Sequence, residues 1–390
     1  MVLAPSEEKM WEKSRSKDPA NPMTDEQIND KYERGEQRIL IEMNREKLPS
    51  FAEALKKPRY MDTQPFYQRR PRWDKKKQSR LIESFLINLP VPPILLYEKN
   101  YNFYEVIDGQ QRITAIRDFY ENKLELSDLD LWPELNGKTY KQLPAKIRAG
   151  IDRRSISSIV LITESTPKPE DALYLTQLAF ERLNTGGIDL SNQEVRNCLY
   201  YGKFNELLLD LSKYSIFAKA WKIPIDNPEN LLKNNLYKKM EDAELILRFF
   251  ALRHVDNFSG GIKEFLDSYM IKSLNFPDKD IEFLRNIFIN TIDLAYEIYE
   301  EKLFKPYDST KQSWKEKAYK DYYDAVMVGL SRHLDERDLL IYKKAQVLED
   351  TKELLIADNR MIFTGRGRTK SDIQNRIELF DKMLSQVIAE

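Results

Sequence analysis

The chain is expected to fold as α+β in its first half, followed by an all-helical domain, and three observations set that expectation. Helical and strand periodicities are interspersed as far as about residue 163, with a strand pair meeting across a short polar turn. The interspersion lacks a regular strand–helix–strand alternation, which disfavours a doubly wound dinucleotide-binding sheet. Beyond about residue 202 only helical patterns remain. The expected division is a mobile polar leader over residues 1–23, a mixed domain over 24–201 and a helical domain over 202–390.

In chain order, Thr24-Asp25-Glu26-Gln27 is a capping box that should open a helix to about residue 34, ended by Gly35. Residues 38–41 look like a strand, and Ser50 is placed to cap a helix through residue 55. Leu81, Ile82, Phe85, Leu86 and Leu89 form an amphipathic stripe over 78–89, stopped by Pro90, Pro92 and Pro93. Residues 94–97 and 103–107 form a hairpin pattern around a polar turn at 99–102. Ile113, Ile116, Phe119 and Tyr120 then restore helical spacing, and 156–163 is one more strand. Pro167 and Pro169 break the chain before a helix over 169–183 that closes at Asn184-Thr185-Gly186-Gly187. Ser191-Asn192-Gln193-Glu194 is a second capping box, opening a helix to residue 201. Further helices are expected over 241–253, 262–273, 280–303, 313–333, 336–357 and 371–389.

Composition narrows the classes of function. With 390 residues, 42% of them apolar, the chain exceeds one typical domain and can bury a sizeable core. Lys plus Arg (62) balances Asp plus Glu (63), so any nucleic-acid contact has to come from a local patch. Cys198 is the only cysteine and His254 and His333 the only histidines. That excludes a disulfide framework, a multi-cysteine zinc site and a multi-histidine centre, and no zinc, haem or flavin is expected. No apolar run reaches the roughly 18–20 residues needed to span a bilayer. Residues 1–23 lack the apolar core of a signal peptide, so a cytoplasmic protein without membrane contact is expected.

Four segments could carry chemistry. Asp108-Gly109-Gln110-Gln111-Arg112 sits where an apolar strand meets the first turn of a helix. Free amides and the positive end of the helix dipole, a glycine permitting close approach and an arginine fork make a phosphate cradle. Alternatively Asp108 simply caps the helix. Between Lys56 and Arg80 the basic residues Lys56, Lys57, Arg59, Arg69, Arg70, Arg72, Lys75, Lys76, Lys77 and Arg80 face only Asp62 and Asp74, with Tyr60, Phe66, Tyr67 and Trp73 among them. Such a mixture suits phosphates and stacked rings, or else is a solvated loop whose aromatics pack on the core. Asn184 and the following Gly186-Gly187 make a left-handed helix C-cap that also exposes backbone to a ligand. Arg366 and Arg368, set among glycines before a helix capped by Ser371, could hold a nucleic-acid backbone or be a mobile loop. No G-x-x-x-x-G-K-[ST] loop and no G-x-S-x-G elbow is present.

Together these segments resemble the domain of unknown function 262 family, the GmrSD-type restriction endonuclease N-terminal domain, within the ParB/sulfiredoxin-like superfamily. The resemblance rests on Gln68-Arg69 with Trp73, on QSRLIES at 78–84, on LPVPP at 89–93 and above all on YEVIDGQQR at 104–112. It continues through FERLNTGG at 180–187 and LSNQEVRN at 190–197. The fold implied is a ParB/sulfiredoxin-like N-terminal domain, and the activity implied is nucleoside-triphosphate hydrolysis regulating DNA restriction in anti-phage defence. By that resemblance Asp108, Gln111 and Arg112 would be catalytic, and Gln68, Arg69, Gly109, Gln110 and Asn184 would bind the nucleotide. Mg2+ would accompany the nucleotide, with Asp108 a candidate ligand. Arg70, Arg72, Lys75, Lys76, Lys77, Arg366 and Arg368 are the DNA-binding candidates. The chain departs from bipartite members in lacking a His-rich nuclease segment, so it is expected to act as a sensor or switch beside a separately encoded nuclease or defence subunit. A non-hydrolysing ParB-like nucleotide- or DNA-binding module is the alternative, and a metal-dependent nickase a lower-ranked one. An exposed apolar stripe on the helical half could serve homo-oligomerisation.

Overall fold

The computed structural model describes residues 2–11, 24–26, 29–30, 40–57, 60–62, 73–100, 102–162, 191–200, 202–356, 360–364 and 369–390. The architecture is mixed α+β followed by a helical region, as expected, and the chain divides into two compact units. One comprises residues 19–199, the other residues 1–18 with 200–390.

In the first unit a five-stranded sheet runs in the order β1-β5-β3-β4-β2. The strands are β1 (Leu40–Lys47), β2 (Met61–Asp62), β3 (Ile94–Asn100), β4 (Phe103–Asp108) and β5 (Ser155–Ile162). The expected hairpin is the antiparallel β3–β4 pair, while β5 lies parallel to β3 and antiparallel to β1. Period-two alternation sorts the apolar side chains onto the two faces. Ile94, Leu96, Val106, Ile156 and Val160 meet Leu81, Ile82, Phe85, Ile113, Ile116 and Phe119 from the helices Lys75–Leu86 and Gln110–Tyr120. Leu95, Ile107 and Leu161 point the other way, onto Val195 of the helix Asn192–Leu199.

Differences from expectation have local causes. β1 extends to Lys47 because it is an edge strand whose residues 41–45 are all exposed, so no alternation marks it. The next helix, Leu48–Ala54, is capped at Lys47 and has Pro49 in its first turn, so Ser50 lies inside it. The helix Lys75–Leu86 starts early because the Asp74 carboxylate accepts from the Lys77 amide at 2.9 Å. Residues 169–183 and the 184–187 turn fall outside the described residues.

Among the described residues the second unit is helical apart from one two-stranded hairpin, β6 (Tyr307–Asp308) and β7 (Ser313–Trp314), where the sequence suggested the start of a helix. The helix there begins at Lys320 instead. The stretch 336–357 is two helices, Arg337–Tyr342 and Lys344–Ile356, and the last helix is capped by Thr369 rather than Ser371, through a box with Asp372. Helices Glu241–Leu252 and Lys320–Ser331 are almost wholly buried, and they are crosslinked by charge. Arg248 donates to both carboxylate oxygens of the fully buried Asp324, and Arg376 of the last helix pairs with Asp321. Such pairs persist inside a core only because each charge has a partner.

Residues 2–11 of the expected leader are not free, and residues 12–23 lie outside the described residues. Pro5–Lys9 is a short helix of the helical unit, and its Glu7 is fully buried. The Glu7 carboxylate accepts from Arg253 Nη1 at 3.3 Å, the Tyr269 hydroxyl at 2.8 Å and the Ala4 amide at 2.9 Å, and lies 3.1 Å from His254 Nε2. Trp11 stacks on Phe265 at 5.5 Å, with the Lys272 ammonium 5.3 Å from its ring. Burial opposes ionisation of Glu7, but the Arg253 charge and the His254 hydrogen bond outweigh it and hold the carboxyl at about 2. Because 2 lies below the ordinary 4.5, this cluster stabilises the fold above about pH 4.5 and loses its contribution as pH falls towards 2. Glu7→Gln is expected to cost about 3–5 kcal/mol at pH 7 by leaving Arg253 uncompensated. Urea unfolding of both proteins from pH 7 downwards should show that gap closing with acid.

Candidate functional site

The junction between β4 and the helix Gln110–Tyr120 carries the Asp108–Arg112 motif. Asp108 closes the strand, and Gly109, at φ +96°, is the helix N-cap in the left-handed region. A Cβ at Gly109 would fall 2.5 Å from Ile94 Cγ2, so both the backbone angle and the packing require glycine. The N-cap residue is therefore Gly109 and not Asp108, and Gly109 has no side chain to accept from the first-turn amides. Asp108 instead reaches along the turn to Arg112, with Arg112 Nη2 donating to its Oδ2 at 2.7 Å.

Arg112 is 8% exposed, and the same Nη2 also donates to the Pro93 carbonyl at 3.3 Å. Its Nε is buried and has no hydrogen-bond partner among the described residues. The two segments LPVPP and DGQQR, fifteen or more residues apart in the chain, thus form one structural unit. Gln110 is buried, and the Gln111 Oε1 accepts from the Trp73 amide at 3.4 Å, which ties the helix start to the chain just after residue 72. Gln68, Arg69, Arg70 and Arg72 lie outside the described residues, as do Asn184, Arg366 and Arg368.

The lysines expected to contact DNA are partly spent within the fold. Lys75 pairs with Glu125 at 3.1 Å, Lys76 pairs with Asp128, and Arg80 pairs with Asp130 at 3.0 Å. The Lys76 hydrogen bond holds the Asp128 carboxyl below its usual value. Lys77 is exposed and has no ion pair among the described residues. A count along the sequence missed these acids because they arrive from a loop about fifty residues downstream. Residues of QSRLIES hold that loop. Glu83, 6% exposed, accepts from the amides of Asp130, Leu131 and Trp132 at 3.2, 2.8 and 2.9 Å, and the Ser79 hydroxyl accepts from the Ser127 amide at 3.0 Å. A glutamate on the apolar side of an amphipathic stripe was the available signal for Glu83. Nothing local in the sequence marks the Pro93 carbonyl as the Arg112 partner.

For a divalent cation the described residues of the junction offer one carboxylate, Asp108, already bonded to a guanidinium. Among the described residues no group of three or more His, Cys, Asp or Glu is placed to hold a metal. The residues present fit Mg2+ only where the ion is carried mainly by phosphate oxygens and waters.

Fold and site together define a mixed-sheet domain with a glycine-capped, arginine-braced strand-to-helix turn. The family model described as the GmrSD restriction endonuclease, N-terminal domain, matches residues 51–201, which bears out the resemblance carried by the DGQQR motif. That match supports a DNA-acting role in restriction or defence. No curated protein and no solved structure matches the chain. No described helix is long and apolar enough to cross a membrane.

Gly109→Ala combines backbone strain with a clash against Ile94 and is expected to destabilise the fold by about 2–4 kcal/mol. Chemical denaturation of the variant beside the parent chain checks this, and a change below about 0.5 kcal/mol would contradict the packing described.

Proposed function

We propose that the first unit binds a nucleoside triphosphate at the β4–helix junction and uses its hydrolysis to switch a DNA-acting role. The observation that carries this reading is the Gly109 turn. A cap without a side-chain acceptor, backed by a helix dipole and lying within the GmrSD-like stretch, suits a polyphosphate. In this reading Asp108 and Arg112 brace the turn, and Gln110 and the backbone amides contact phosphate. Gln111 orients the attacking water. Mg2+ would arrive with the nucleotide and neutralise phosphate charge.

The mutual engagement of Asp108 and Arg112 favours a second reading, in which nucleotide is bound without turnover and the module acts as a sensor. Phosphate release from purified chain with a panel of nucleoside triphosphates, with and without modified DNA, separates the two. Gln111→Ala is the informative variant, because it removes one long hydrogen bond and should cost only about 1 kcal/mol of stability. Hydrolysis is expected to fall about 100-fold in Gln111→Ala with nucleotide binding retained. Binding without phosphate release in the parent chain would establish the sensor reading. Metal-dependent nicking of supercoiled plasmid, lost in Asp108→Asn, would replace both with a nuclease.

A further inference from the structure

The helical unit carries a surface whose charge is not cancelled by its own fold. Between residues 302 and 317 lie five lysines, Lys302, Lys305, Lys311, Lys315 and Lys317, against the acids Asp308 and Glu316. The excess is three positive charges on a chain whose overall charge is −1. Among the described residues none of the five forms an ion pair with a carboxylate. Lys305 donates to the Glu301 carbonyl at 2.5 Å, Lys315 donates to the Tyr319 hydroxyl at 3.2 Å, and the Lys302 ammonium stands 5.8 Å from the centre of the Trp314 ring. Lys315 is also 4.6 Å from the Tyr319 ring centre. Carbonyls, hydroxyls and ring faces orient an ammonium without neutralising it.

Of the nearby acids, Glu316 is exposed and forms no ion pair among the described residues, and the other three are engaged elsewhere. Glu300 pairs with Lys344 and Glu301 with Lys219, while Asp308 accepts from the Thr310 and Lys311 amides and so shapes the hairpin turn. The hairpin itself is fixed by the Tyr307–Trp314 ring pair, edge to face at 5.6 Å. Lys302, Lys311 and Lys317 are exposed. Lys75 and Lys76 in the first unit behave oppositely, since carboxylates already cover them.

We propose that the β6–β7 hairpin and its flanks form a nucleic-acid contact surface, binding the phosphodiester backbone through Lys302, Lys311 and Lys317. The surface belongs to the helical unit and the nucleotide junction to the other unit, and the proposal draws on the DNA-acting role alone. A fixed hairpin with uncompensated ammoniums suits sequence-independent backbone binding, with counterion release as the driving term.

Fluorescence anisotropy of the full chain with labelled single-stranded and duplex oligonucleotides, over a salt series, tests this. The parent chain should bind with steep salt dependence. The triple variant Lys302→Gln, Lys311→Gln, Lys317→Gln should bind at least about ten-fold more weakly at 100 mM salt and lose about 2–3 from the slope of log K against log salt. All three side chains are exposed, so its melting curve should match that of the parent. The arm with the larger loss identifies the strand form contacted. Unchanged affinity and slope in the triple variant would overturn the proposal. So would a parent chain that binds neither oligonucleotide, or one that binds vesicles containing 30% phosphatidylserine (about one anionic lipid in three) but no DNA. Phosphate release plays no part in this readout, so its outcome is independent of the hydrolysis experiment.

Discussion

The first unit depends on the ion pair between Asp108 and Arg112 across a glycine turn. A strand ending in a carboxylate and a helix beginning without a side-chain cap would leave the junction loosely held. The pair closes it, and the arginine reaches further to the Pro93 carbonyl, drawing the start of β3 onto the start of the helix. Ile94 fills the space where any side chain at position 109 would stand. Backbone conformation, packing and charge thus select the same residues at once. One consequence is chemical. A carboxylate and a guanidinium that neutralise one another attract a ligand weakly, so binding at this junction would draw on amide dipoles and carboxamides more than on full charges.

Charge pairing elsewhere follows the same logic with different outcomes. Glu83 and Ser79 pin an acidic loop over the helix Lys75–Leu86, and the loop's carboxylates meet the lysines that look free in the sequence. In the helical unit, buried Arg248 is matched to buried Asp324 and buried Arg376 to the part-buried Asp321, and Glu7 brings the N-terminal residues in as the partner of Arg253. Among the described residues the lysines around β6 and β7 have no carboxylate partners, which sets that surface apart from one already paired.

Much of the first unit was legible because its signals are short-range. The β3–β4 hairpin, the stripe from Leu81 to Phe85 and the strand-to-helix change at Gly109 follow from alternation, helical spacing and one glycine. β1 was read short because an exposed edge strand has no buried face to pattern it. The β6–β7 hairpin was missed because each of its strands is two residues long and its stabilising ring pair lies across a turn.

What the sequence determined by itself was the main strands and helices of the first unit, the α+β character and the position of the DGQQR turn. Those depend on residues within one or two turns of each other. Only the tertiary structure decided which charges remain available. Arg112 is drawn to Pro93, Lys76 to Asp128 and Glu7 to Arg253 by contacts spanning 19 to 246 residues along the chain. The fate of a charge depends on what folding brings within a few ångströms of it, and composition near it in the chain carries no record of that.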